Sequence, residues 1–160
     1  MVGLAGLEVS QDPGIMLCTL PLGAGVGLAI YDPKARVGGL LHSLLPASSL
    51  DPQRAANHPG MFLDTGLEAL LARAQRLNAT RPNIRVFAAG GARIMDENPL
   101  FDIGKSNGDV LGELLAQQGV ELYARQVGGR TDCSMELTLA TGEVRLRFSG
   151  QAGTQALCKP

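Results

Sequence analysis

A single α/β domain is the fold that the sequence predicts, and three observations carry that prediction. Short apolar runs of strand length recur between Gly, Pro, Asp and Asn turn signals. Two longer segments repeat their apolar residues at helical spacing instead. The chain has 160 residues, 45% of them hydrophobic, enough to bury one continuous core, and it shows neither an internal repeat nor a linker long enough to divide it.

Taken in order, residues 4–9 form a first candidate strand, closed by the turn signal Asp12-Pro13-Gly14. Residues 15–22 are apolar and strand-like, and Pro21, which lacks an N–H, places them at an edge or at a strand's end. Gly23-Ala24-Gly25 makes a tight bend. Residues 26–31 are stopped by Asp32-Pro33 and so read as a strand; residues 37–45 are its hairpin partner, with His42 inside and Pro46 behind. Residues 47–60, rich in breakers, read as a surface loop.

The clearest helix covers residues 61–77, where Leu63, Leu67, Leu70, Leu71, Ala74 and Leu77 share one face. Residues 84–89 then read as a buried strand entering Gly90-Gly91. A second helix over residues 108–118 rests on Val110, Leu111, Leu114 and Leu115, with Gly119 placed to end it. Residues 120–127 are a further strand turned by Gly128-Gly129. Residues 135–140 and 143–148 alternate apolar and polar side chains around Thr141-Gly142, the mark of a half-solvated hairpin. The tail from about residue 150 reads as weakly ordered.

Composition narrows the function. Formal net charge is -1 with Lys and Arg dispersed, and aromatics are 4% with no Trp, so neither a nucleic-acid footprint nor a base-stacking platform is expected. Cys18, Cys133 and Cys158 are odd in number and contain no C-x-x-C, which indicates neither a disulfide framework nor a zinc site and fits a reducing cytoplasm. The first residues lack a basic signal region, and no apolar run reaches the roughly 18 residues of a membrane span. Partners should be proteins or small molecules, with no direct membrane insertion.

Three partial motifs fail on spacing. Ile103-Gly104-Lys105-Ser106 imitates the end of a phosphate-binding loop, but Pro99 stands where its first glycine is required. Gly23, Gly25 and Gly27 imitate a dinucleotide fingerprint with the third glycine misplaced and Pro33 close behind. His42 and His58, even helped by Asp51 or Asp64, fit no compact ligand spacing, so no metal or cofactor is expected.

Read together, Thr19-Leu20-Pro21-Leu22-Gly23, Tyr31-Asp32-Pro33, the run from Gly38 to His42, Leu44-Leu45-Pro46, Gly90-Gly91-Ala92, Ile103-Gly104 with Asn107, Gly128-Gly129 and Thr141-Gly142 resemble the motif series of the CheD family of chemoreceptor glutamine deamidases. The resemblance spans nearly the whole chain. It implies a single-domain α/β sandwich of the kind shared with toxin deamidases, with mixed, largely antiparallel sheets and two main helices. It also implies cytoplasmic chemotaxis signalling in bacteria, with receptor helices or a CheC-type phosphatase as partners.

The chemistry implied is amide hydrolysis at receptor glutamines. A Cys thiolate attacks the amide carbon, a His on the neighbouring strand lowers the thiol pKa and protonates the departing ammonia, and backbone N–H groups at the bend hold the oxyanion. By resemblance His42 is that base and acid, Thr19 belongs to the assembly that orients it, and Gly23, Ala24, Gly90, Gly91 and Asn107 line the binding region. The nucleophile does not carry over. Where the family reads Gly-Ser-Cys this chain reads Gly23-Ala24-Gly25, so a glycine occupies the cysteine position. Pro21 also replaces a family glycine, and Cys133 stands near a position where the family commonly has Arg.

Loss of a nucleophile removes on the order of a millionfold in turnover by analogy with proteases. The expectation is therefore a protein that keeps the fold and the recognition groove but has lost or nearly lost the reaction. Two alternatives stay open: an active amidohydrolase using another thiol, Cys133 being the better placed because it follows a Gly-rich turn, and an interaction domain unrelated to chemotaxis. Cys18, adjacent to Thr19 on a strand, points to the opposite face and reads as a small core residue.

Overall fold

The computed structural model describes residues 1–93 and 103–158. Among the described residues, nine strands form two sheets. β1 (Leu7–Ser10), β4 (Val37–Ser43), β3 (Val26–Asp32), β5 (Arg85–Gly90) and β6 (Glu121–Val127) lie side by side in that order, while β2 (Met16–Cys18), β7 (Cys133–Thr138), β8 (Glu143–Phe148) and β9 (Gln155–Cys158) form the second sheet. All pairs are antiparallel except β5 with β6, so the sheets are mixed and largely antiparallel as expected.

Two apolar layers explain the alternating fates of neighbouring residues. Val26, Leu28 and Ile30 of β3 pack with Leu41 of β4 against α2 (Leu63–Arg76) and α3 (Ile103–Gln118), through Leu63, Leu67, Leu70, Leu111 and Leu115. Ala29, Tyr31, Leu40, Phe87 and Ala89 point the other way, onto Leu17, Met135, Leu137, Val144 and Leu146 of the second sheet. The five-stranded sheet is thus sandwiched between helices and sheet. Every residue of β3 and β4 is buried, which is why both strands read as continuous apolar runs, whereas β7 alternates buried and half-buried residues as the hairpin pattern predicts.

The β3–β4 hairpin is closed by Asp32, whose Oδ1 accepts the N–H groups of Lys34 and Ala35 and whose Oδ2 accepts that of Thr80. α3 begins earlier than the apolar pattern indicates and ends at Gly119 with φ +65°, a backbone region that favours glycine.

Two expectations need correcting. Residues 47–60 are not an irregular loop: they hold a 3-10 turn at Ser48–Leu50, the short helix α1 (Pro52–Asn57) and the start of a second 3-10 turn at Pro59–Met61. Asp51 caps α1 by accepting the Arg54 N–H, and Asp64 anchors the first turn through the N–H and hydroxyl of Ser48. Beyond residue 150, β9 pairs with β8 instead of trailing off, although its apolar run, Ala156-Leu157-Cys158, is too short to advertise a strand.

The β7–β8 turn depends on Gly142, with φ +71° and its missing Cβ facing the Tyr31 ring. Gly142→Ala should destabilise the fold by about 1–3 kcal/mol through backbone strain and overpacking, read as a lowered midpoint in urea unfolding.

Candidate functional site

His42 sits on β4 with its backbone held from both sides. Its N–H donates to the Gly6 carbonyl at 2.9 Å, and across the hairpin it lies in register with Gly27. Alternation along β4 turns Gly38, Leu40 and His42 toward the second sheet, since a Cβ at Gly38 would run into Leu137 and Leu139. The ring is wholly buried, and neither nitrogen has a hydrogen-bond partner among the described residues. Burial lowers its pKa below the ordinary histidine value of 6.5, opposed by the Asp132 carboxylate and, more weakly, by the Leu22 carbonyl, which bears on the ring without completing a well-formed hydrogen bond. His42 is accordingly a neutral imidazole at pH 7.

Over this ring folds the bend at residues 22–25. Leu22 continues the β2 edge by donating to the Cys133 carbonyl at 2.8 Å, and its side chain occupies the space that a Cβ at Gly27 would need. The Gly25 N–H closes the bend onto the Leu22 carbonyl at 2.8 Å, and the Gly23 N–H donates to Asp132 Oδ1 at 2.9 Å. The bend's carbonyls are held as firmly: Gly25 accepts the Gly91 N–H at 2.7 Å and Gly23 accepts the Ala92 N–H at 2.9 Å. Gly90, with φ +102°, has no Cβ to strike the Gly25 carbonyl, which is what lets β5 and the bend approach.

Position 25 is therefore next to the imidazole but closed. A Cβ built on Gly25 would lie 3.5 Å from His42 Nε2, and also 2.5 Å from the Ser43 carbonyl oxygen and 3.0 Å from that of Leu22. Both obstacles are main-chain atoms, so a side chain there requires the backbone to move.

The remaining expected residues divide around this centre. Thr19, 3% exposed, uses its hydroxyl oxygen to accept the Met135 N–H at 2.9 Å, and its own N–H donates to the Met135 carbonyl. Its oxygen thus fastens β2 to β7, and it makes no hydrogen bond to the ring. Gly23 and Ala24 are half-buried, Gly90 and Gly91 are buried behind them, and Asn107 lies in α3 with its side chain outside the described residues. His58 is exposed after α1, while Asp51 and Asp64 serve as the anchors already described.

Both described thiols are protonated at neutral pH. Cys133 is 3% exposed, and desolvation with help from Asp132 pushes its pKa up to about 11. Cys18 is raised too, first by burial and then by Glu136. The side chain of Cys158 lies outside the described residues. Asp132 is the site residue that sequence reasoning missed: its only local signal is a carboxylate between a Gly-Gly turn and a strand, and its partner Gly23 is far away in the chain.

A family model described as CheD chemotactic sensory transduction matches residues 44–148, beginning just after His42. The chain is 40% identical over 151 residues to a probable chemoreceptor glutamine deamidase CheD of Solibacter usitatus (strain Ellin6076), covering 94% of this chain and 89% of that protein. It is 37% identical over 150 residues to a probable chemoreceptor glutamine deamidase CheD 1 of Syntrophus aciditrophicus (strain SB), covering 94% of each. A probable chemoreceptor glutamine deamidase CheD of Thermococcus kodakarensis (strain ATCC BAA-918 / JCM 12380 / KOD1) is 36% identical over 148 residues, 91% of this chain and 90% of that protein. Among the described residues, no helix is long and apolar enough to cross a membrane.

A buried imidazole with a depressed pKa binds protons less readily folded than unfolded. Its contribution to stability is complete above the unfolded value of about 6.5 and is lost as pH falls through the folded value, at up to about 1.4 kcal/mol per pH unit between the two. His42→Phe should flatten this acid-side slope in urea titrations made at successive pH values; an unchanged slope would mean that His42 is not the group responsible.

Proposed function

The chain belongs to the CheD family, and on that premise we propose that it is a chemotaxis protein that recognises a chemoreceptor without deamidating it. One observation carries this reading: the place beside His42 where a thiol would start is a glycine, and two main-chain carbonyls close it. The relatives carry names that specify action on chemoreceptor glutamines. In this chain His42 is present and neutral, but position 25 beside it carries no side chain.

Substitution by another cysteine is disfavoured on chemical grounds. A nucleophilic thiol needs a depressed pKa and access to substrate, and Cys133 has a pKa near 11 inside the inter-sheet layer. Cys18 is likewise shifted away from the thiolate. The partner surface proposed is the bend's outer side, where Gly23 and Ala24 reach solvent, and the partner is a receptor helix or, second, a CheC-type phosphatase.

Receptor cytoplasmic fragments mixed with the chain should release no ammonia above background, while co-sedimentation shows complex formation with the receptor or with the phosphatase. Ammonia release abolished by thiol alkylation would overturn the reading. Gly25→Cys should also remain inactive and lose about 1–3 kcal/mol of stability from overpacking against the Ser43 carbonyl. Full recovery of ammonia release by that single change would show the site to be intact apart from its sulfur.

A further inference from the structure

We propose that the outer face of the second sheet is an interface with a second copy of this chain, built on an apolar strip of Met1, Met16, Cys18 and Leu20 beside a neutral ladder of Glu and Arg pairs. It uses the side of that sheet turned away from His42.

Strand alternation defines the strip. Leu17 and Thr19 are buried, and Leu17 packs between the sheets, so Met16, Cys18 and Leu20 point outward. Residues 1–3 run parallel to this edge, held by the Val2 N–H on the Cys18 carbonyl at 2.6 Å and the Leu20 N–H on the Val2 carbonyl at 3.2 Å. Val2 is buried, which turns Met1 outward beside Cys18. Met1, Met16 and Leu20 are 79%, 54% and 41% exposed; with Leu4 and Ile15 near the ends of the strip, residues 1–20 hold five of the seven large apolar side chains exposed among the described residues. Apolar residues scattered singly are normal on a surface, but a contiguous group marks a contact. Cys18, expected in the core, is half-buried on this outer face near Glu136 and Arg147.

The charges beside the strip indicate what covers it. Glu136, Glu143, Arg145 and Arg147 share the face, and each acid already meets a base: Arg147 lies 3.1 Å from Glu136 and Arg145 lies 3.2 Å from Glu143. With no net charge, the ladder gives a strongly charged partner nothing to pair with. It does match itself. The register sets Met16 level with Thr138 and Glu143, and Cys18 level with Glu136 and Arg145; continued one step, it sets Leu20 level with Ser134 and Arg147. A twofold axis crossing the strands at the Cys18 level therefore brings Met16 of one copy against Leu20 of the other, Cys18 against Cys18, and Glu143 against Arg147, each contact made twice. Glu136 and Arg145, level with the axis, stay neutralised by Arg147 and Glu143 of their own copy. The unbranched methionines adapt to close the gap. A face of four strands, the central two of six residues, measures roughly 20 Å on a side, the low end for a specific interface, so the dimer is a reversible one with Kd in the micromolar range.

Sedimentation velocity of the full chain at concentrations up to about 200 µM should show a monomer–dimer equilibrium. Met16→Glu and Leu20→Glu, which place a charge against the apolar strip of the other copy, should each weaken it at least about tenfold, while Leu50→Glu, at an exposed leucine elsewhere, should leave it unchanged. Unaltered urea midpoints would confirm that the variants fold. Bismaleimidoethane, a short thiol crosslinker, should join two copies through Cys18, and Cys18→Ser should abolish the product. A chain that is monomeric throughout would mean that the strip serves another partner or none, and would overturn the proposal. So would a dimer indifferent to Met16→Glu and Leu20→Glu, or a crosslink that survives Cys18→Ser.

Discussion

The hydrogen bonds that dock the 22–25 bend hold three strands together at one end of the sandwich. Gly25 and Gly23 offer their carbonyls to the segment after β5, Leu22 donates to the start of β7, and Gly23 donates to the residue before it. Each contact is a close main-chain approach, and two of the positions admit no side chain: Gly90 because its Cβ would meet the Gly25 carbonyl, and Gly25 because its own would meet that of Ser43. Strand pairing, the burial of Leu22 over Gly27 and the seclusion of His42 all follow from this docking. Glycine at position 25 is thus part of how the sheets meet.

The electrostatics of the site follow from its dryness. Burial keeps His42 neutral and Cys133 protonated, and the Asp132 carboxylate acts on both in the expected senses: it favours the charged imidazole and disfavours the thiolate. Asp132 cannot reverse the larger desolvation effect on the ring. Among the described residues, the interior of such a site offers neither a thiolate nor uncommitted Gly23 and Gly25 N–H groups.

Much of this fold was legible in residue order. The β3–β4 pair, α2, β5, β6 and the β7–β8 hairpin each carry a strong local signal, either an apolar run between breakers or a clean period, and the structure places them close to the expected bounds. Residues 47–60 were opaque because a six-residue helix and two 3-10 turns are too short to establish a period, and they are fixed by side chains such as Asp51 and Asp64. β9 was opaque because its order comes from pairing with β8. At the site, the family motif picks out Thr19, Gly25 and His42, and the strand and turn signals locate their backbones. The role of Asp132 and the closure of position 25 arise from contacts between segments distant in sequence, which no local pattern encodes.

The most direct measurement is a high-resolution crystal structure of Gly25→Cys. The account predicts that the Ser43 and Leu22 carbonyls are displaced from their present positions, or that the bend is partly undocked from Gly91 and Ala92, to make room for the new Cβ. A cysteine seated with its Sγ within hydrogen-bond reach of His42 Nε2, on a backbone superimposable on the one described, would contradict it.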